Sequence, residues 1–358
     1  MAEIRSLTSI RGVAALWIVL HHFWPQTSGQ TPFFIAKGYL AVDLFFILSG
    51  VVLYLVYSNA IRSGKFDIRQ FFLKRFARLY PLHLVTMILA IIVLCIGPWV
   101  GFEGRELTYD LGQMIVLHLT LLHAWGMTET GGLNYPSWSI SAEAFAYLLF
   151  PILAFITLKS RYVLIGAFAI LGSFIIGTQI FWPMELRNPT DAMVFTRLEN
   201  DFGILRILPE FFLGLVIARH SHTLKACGVA CFVGLGLIGL GLFLNLDAMV
   251  LIGFVVTLWW CLAANPTTPR IFQRLGEISY SIYMSHALVQ IVGFKLIETC
   301  LGYSDGAVPS WYILPMLLAT ILVSVGLYLC CERPARHWIL TFSTPKFDQA
   351  KAVRSCST

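Results

Sequence analysis

The chain has 358 residues, of which 58% are hydrophobic, 14% aromatic and 12% charged, with a formal net charge of +6. Its mean hydropathy is +0.76. A soluble globular chain carries about a quarter charged residues and somewhat under half apolar ones, so soluble, disordered and disulfide-scaffold classes are excluded. A multi-pass membrane protein remains. A charge this small and scattered also gives no footprint for nucleic acid.

A membrane-crossing helix needs about 20 residues. Apolar runs of that length lie near 7–24, 38–58, 79–99, 138–158, 162–182, 203–219, 226–245, 247–264, 278–298 and 312–331. The first is not a signal peptide: Arg11 interrupts it, His21 and His22 follow, and no small-residue cleavage site stands near Pro25. An eleventh, weaker stretch at 110–125 holds Gln113, His118 and His123. Loop charge decides its status. Arg62, Lys65, Arg69, Lys74, Arg75 and Arg78 face one acid, Asp67, between the second and third runs, which marks that loop as cytoplasmic. The basic groups Lys159–Arg161, Arg219–Lys225, Arg270–Arg274 and Arg333–Lys346 fall on the same side only if 110–125 does not cross. The stretch is therefore read as re-entrant or interfacial. The expected fold is all-α: a polytopic bundle of about ten spans with both termini cytoplasmic, residues 1–340 forming one transmembrane domain and 341–358 a short cytoplasmic tail.

The cysteines stand mostly inside apolar runs with no zinc-like spacing, so they read as small apolar fillers and no metal site is expected. Gly234-Leu-Gly236-Leu-Ile-Gly239 matches a dinucleotide-binding spelling, but it lies inside a continuous apolar run with no strand before it. Close helix packing through small residues is the better reading.

Ionisable groups at membrane depth are costly and face a partner or a watery cavity. Arg11 and His22 are eleven residues apart, which leaves them about 20° apart on one helix face and about 16 Å apart along it. Asp43 begins the next run at the depth His22 reaches; it either orients the imidazole or caps its helix end. Ser49-Gly50 follow on the same run. Arg75 and Arg78 share a face and either report topology alone or form a fork for phosphates. Ser139 and Glu143 lie one turn apart, and Arg206 and Glu210 are spaced to form an internal ion pair. Ser279, Tyr283, His286 and Gln290 make one polar stripe, a packing seam or a cavity wall.

Taken in order, Arg11-x10-His22, Val42-Asp43-Leu-Phe-Phe-Ile-Leu-Ser49-Gly50, Phe72-Leu-Lys-Arg75-Phe-Ala-Arg78-Leu-Tyr-Pro81, Ser137-Trp-Ser-Ile-Ser-Ala-Glu143, Pro209-Glu210-Phe-Phe-Leu-Gly214, Leu275-Gly276-Glu277-Ile-Ser279-Tyr280-Ser-Ile-Tyr283-Met-Ser-His286 and Glu332-Arg-Pro334 resemble the acyltransferase 3 family of membrane acyltransferases. The resemblance runs over nearly the whole chain. It implies a ten-helix bundle that moves an acyl group, commonly acetyl, from cytoplasmic acyl-coenzyme A to a hydroxyl of an extracytoplasmic saccharide or glycolipid, with no permanently bound cofactor. By that resemblance Arg11 and His22 match the family's essential pair, and Arg75 and Arg78 its paired-arginine motif. His83, and Ala144-Phe145 after Glu143, depart from the usual pattern.

The expected site thus comprises His22, Asp43 and Glu143 as catalytic groups and Arg11, Arg75 and Arg78 as donor-binding groups. Ser49, Ser139, Arg206, Glu210, Tyr283 and His286 line the cavity. Asp43 would orient His22 as base, and Ser139 or a backbone N–H would hold the oxyanion. The expected location is a bacterial inner membrane. A transporter or flippase of lipid-linked saccharides is the rival reading, because buried charges also mark substrate pathways.

Overall fold

A computed structural model describes residues 4–97, 110–128, 132–160, 162–181, 194–199, 202–221 and 227–343. Its helices, in order, are α1 (Arg5–Phe23), α2 (Phe33–Ala36), α3 (Leu40–Arg62), α4 (Ile68–Ile96), α5 (Leu111–Leu119), α6 (Trp138–Lys159), α7 (Val163–Phe181), α8 (Gly203–His220), α9 (Gly228–Phe243), α10 (Asp247–Ala264), α11 (Arg270–Glu277), α12 (Ser279–Leu301), α13 (Ile313–Leu327) and α14 (Arg333–Ser343). Each of the ten apolar runs carries a helix, and no strand is present among the described residues. Six helical stretches are long and apolar enough to cross a membrane: Leu40–Arg62, Ile68–Ile96, Tyr135–Lys159, Asp247–Ala264, Ser279–Leu301 and Ser310–Phe342. Large hydrophobic side chains such as Phe155, Ile165, Phe232 and Leu314 are exposed on the outside of the bundle, as expected where the surrounding solvent is lipid.

The third apolar run is part of a longer helix. Asp67 caps α4, its carboxylate accepting from the Gln70 N–H at 3.1 Å, so the helix starts well before the apolar residues do. Arg75 and Arg78 therefore ride on a rigid helix and not on a loop. The segment 110–125 contains only the nine-residue α5, about 13 Å long, which is less than half the hydrocarbon thickness. Imidazoles anchor it. His118 and His123 stack at 3.9 Å between centroids, and a His83 ring nitrogen lies 3.0 Å from the His118 carbonyl. The departure at His83 thus ties α5 to α4.

Two seams of small residues draw helix backbones together. A Cβ on Gly50 would collide with the Phe211 carbonyl, and one on Gly214 with the Ile47 carbonyl, so α3 and α8 cross in direct backbone contact. Between α9 and α10, a Cβ on Gly253 would come within 2.8 Å of the Ile238 nitrogen and 2.9 Å of the Gly234 oxygen. Gly234 is thus a packing residue, while Gly236 and Gly239 face open space.

At the C-terminal end, α13 passes through a π-turn at Tyr328–Glu332 directly into α14. The boundary expected at residue 340 therefore falls inside a helix. The apolar run ends near residue 331, but the helical backbone continues through Ser343. Residues 344–358, most of the expected tail, lie outside the described residues.

Candidate active site

Three helices that run in the same direction, α1, α4 and α12, each contribute to two cavities at opposite ends of the bundle. Near their N-terminal ends they supply Arg11, Arg75, Arg78, Ser279 and Tyr283 to an inner cavity of about 250 Å³, which Ser49, Ser139, Glu143, Tyr147 and Arg336 complete. Near or beyond their C-terminal ends they supply Gln26, Leu94 and Gln290 to an outer cavity of about 530 Å³.

The inner cavity is strongly basic, with four guanidinium groups against the single carboxylate of Glu143. Arg11 donates to Ser279 Oγ at 3.4 Å and to the Gly276 carbonyl at 3.5 Å. The Arg75 guanidinium lies 5.8 Å from both the Tyr57 and the Tyr147 ring centroids, within the range of cation–π attraction. Its buried Nε has no hydrogen-bond partner. Among the described residues no carboxylate is salt-bridged to Arg75 or Arg78, so both forks keep their donors for a ligand. Glu143 Oε1 accepts from Ser49 Oγ at 2.7 Å and from Tyr147 Oη at 2.5 Å. Glu143 therefore stands among the arginines and away from the imidazoles. Ser139 spends its hydroxyl proton on the Pro136 carbonyl at 3.1 Å.

His22 lies outside the residues that line either cavity. Its ring is 5.2 Å from His286, 4.8 Å from Tyr135 and 5.1 Å from His21, centroid to centroid. His286 is fully buried and its ring is 5.8 Å from that of Tyr283, which closes the top of the inner cavity. Gln290 donates to the His22 carbonyl at 2.8 Å and accepts from the Tyr135 hydroxyl at 2.6 Å. The polar stripe is thus both a seam and a wall: Ser279 and Tyr283 face the inner space, Gln290 the outer, and His286 fills the partition between them. Tyr283, His286, His22 and Tyr135 form that partition in rank.

Two sequence expectations are corrected. Asp43 does not orient His22. Both its oxygens are taken by Arg206, with Nε to Oδ1 at 2.9 Å and Nη2 to Oδ2 at 2.7 Å, and both side chains are fully buried. Nor does Arg206 pair with Glu210 on its own helix. The Gly50–Gly214 contact brings α3 close to α8, and a planar fork finds its bidentate match across that seam. Glu210, fully buried one turn further on, lines a small apolar cavity of about 160 Å³ beside Leu213 and Val255. Asp43, Arg206 and Glu210 thus belong to the scaffold behind the site.

Tyr147 and Arg336 escaped the sequence reading. Tyr147 lies one turn beyond Glu143 and continues the face of Ser139 and Glu143, a periodicity that would have found it. Arg336 sits four residues after Glu332 on α14, where its charge registers only as a topology signal.

A family model described as an acyltransferase domain matches residues 4–329. Acyltransferase MdmB of Streptomyces mycarofaciens is 28% identical over 400 residues, covering 98% of this chain and 97% of that protein. The Bacillus subtilis protein named "Putative peptidoglycan O-acetyltransferase YrhL" is 23% identical, covering 93% of this chain and 55% of its own length. No solved structure matches the chain at a significant level. From Ile4 through the partition to the π-turn, the chain is a helical membrane enzyme of the acyltransferase 3 family.

Proposed function

We propose that this membrane O-acyltransferase carries an acetyl or related acyl group from cytoplasmic acyl-coenzyme A to a hydroxyl of an extracytoplasmic saccharide. The carrying observation is the convergence of Arg11, Arg75, Arg78 and Arg336 on one cavity whose roof, Tyr283, abuts the His286–His22 pair. Guanidinium groups are donors only and match phosphate oxygens bidentately, so the basic cavity suits the phosphates of a nucleotide-bearing donor. Family membership favours the enzyme over the transporter reading. The name of the B. subtilis relative, an O-acetyltransferase, favours acetyl as the group. The basic loops support ten crossings with both termini cytoplasmic, and we place the protein in a bacterial inner membrane.

In this reading the thioester arm passes Tyr283 toward the imidazoles. The acceptor oxygen forms a C–O bond to the thioester carbonyl carbon as its proton passes to His22. The C–S bond then breaks, and the thiolate takes that proton, leaving an ester and free thiol. The Tyr283 hydroxyl at the roof, or a backbone N–H, donates to the oxyanion, since Ser139 spends its proton on the Pro136 carbonyl. Glu143 offsets the arginine charge and positions Tyr147 and Ser49. Membranes containing the His22→Ala protein, supplied with acetyl-coenzyme A and cell-surface saccharide, test this: transfer is lost if His22 is the base and persists if it is not.

A further inference from the structure

A further group of arginines stands apart from the inner cavity. Arg5, Thr8, Ser9 and Gly12 occupy the i, i+3, i+4 and i+7 positions of α1 and so share one face. The amphipathic α11 packs on that face. A Cβ on Gly12 would come within 2.7 Å of the Gly276 nitrogen, and one on Gly276 would collide with the Thr8 carbonyl. The hydroxyls of Ser9 and Thr268 lie 2.7 Å apart, and Gln273 donates to the Thr268 carbonyl at 2.7 Å, which ties the entry of α11 to α1 as well. The polar residues of α11, Arg270, Gln273, Arg274 and Glu277, repeat the same spacing on a face of their own. Arg5 joins them to enclose a cleft of about 230 Å³ with three guanidinium groups and one carboxylate, Glu277. The cleft shares no lining residue with the inner cavity.

Among the described residues no acceptor or carboxylate partners Arg5, Arg270 or Arg274. Like charges gathered in one cleft repel one another, and an anion placed between them relieves that repulsion. A topology signal needs positive charge alone, which lysine meets as well. Three planar forks around one space match the oxygens of a phosphate instead. Position names the source of that phosphate. The helix lies between the last turn of α10 and the first turn of α12, beside the start of α1 at the inner end of the bundle. Ile271 and Phe272 are exposed at 61% and 39%, so α11 presents an apolar side next to its basic one, as helices lying in the plane of a membrane surface do.

We infer that the cleft between α1 and α11 binds the headgroup phosphate of an anionic glycerophospholipid of the inner leaflet. The acyl chains of that lipid lie against Ile271 and Phe272. A zwitterionic lipid brings its own cation, which the guanidinium groups repel, so the site prefers a headgroup without one. This goes beyond acyl transfer, and its test involves no turnover.

The test mixes the full chain, purified in detergent, with phosphatidylglycerol or phosphatidylcholine and counts retained lipid by native mass spectrometry. Wild type is expected to retain phosphatidylglycerol in preference. Arg270→Gln with Arg274→Gln should weaken that retention about thirtyfold, the effect of two basic groups at an anionic headgroup. Lys65→Gln with Arg69→Gln removes two exposed charges from another basic loop and should leave it unchanged. All four side chains are exposed, so the fold is kept in both variants. Equal losses in the two variants, or no loss in the first, overturn the assignment. So does displacement of phosphatidylglycerol by inorganic phosphate but not by chloride at the same ionic strength, which would make this a site for the free anion.

Discussion

Asp43 and Arg206 meet across α3 and α8 in a bidentate ion pair at 2.7 and 2.9 Å, with both side chains fully buried. Arg206 also donates to the Tyr39 carbonyl at 3.1 Å and its guanidinium lies 5.3 Å from the Trp138 ring centroid. Removing one partner leaves a buried charge uncompensated, at a cost of about 3–5 kcal/mol. Asp43→Ala and Arg206→Ala should each sharply lower the midpoint of thermal unfolding in detergent. The double variant Asp43→Leu with Arg206→Leu should be less harmful than the sum of the two. Additive losses would show that the pair is not coupled.

The same seam depends on two glycines. Gly214→Leu would force a side chain into the Ile47 carbonyl, separating α3 from α8 and pulling Asp43 from Arg206. The expected result is loss of folded protein on size-exclusion chromatography. Gly236→Leu, which points a side chain into open space, should leave the elution profile unchanged.

Much of this arrangement was legible in the residues alone, and the failures have a common cause. Hydrophobic runs report where a helix lies, though not where it starts or ends, and a 100° step reports which residues share its face, so a helix in each of the ten apolar runs and the stripe from Ser279 to Gln290 could be read directly. Partners on other helices could not. Arg206 and Glu210 obey the spacing for a pair within one helix, but the bidentate geometry offered by Asp43 across the seam wins. Arg336 was hidden for a different reason: a basic residue after the last apolar run is indistinguishable from a topology signal until the backbone is seen to continue as α14. Nor does spacing reveal that the rings of Tyr283 and His286 stand between the arginine cavity and His22.

The inner cavity should read out as donor affinity. Arg75→Ala and Arg78→Ala, singly, should raise the KM for acetyl-coenzyme A about tenfold or more, since a hydrogen bond to a charged group contributes about 1.5–3 kcal/mol. Arg336, exposed at the cavity mouth, should have a smaller effect that fades with added salt, because exposed charges are screened. Steady-state kinetics at two ionic strengths decides this; unchanged donor KM in all three variants would reduce these arginines to topology signals.

Tyr283 separates the arginine cavity from the imidazoles. Tyr283→Ala should join the two spaces and admit water to the thioester, so acceptor-independent hydrolysis of acetyl-coenzyme A should rise while transfer to saccharide falls. Tyr283→Phe keeps the ring and should keep hydrolysis low. A Tyr283→Ala protein with no added hydrolysis would mean that the donor does not travel past this side chain.

The central claim is that a proton leaves the acceptor hydroxyl for the imidazole at position 22. The most direct measurement is single-turnover transfer of radiolabelled acetyl from acetyl-coenzyme A by the purified His22→Gln protein, which keeps the side chain polar, with donor binding measured in parallel. The account predicts donor binding equal to wild type with transfer reduced about 10²–10⁴-fold, the range for loss of a general base. Transfer at the wild-type rate with intact donor binding would contradict it.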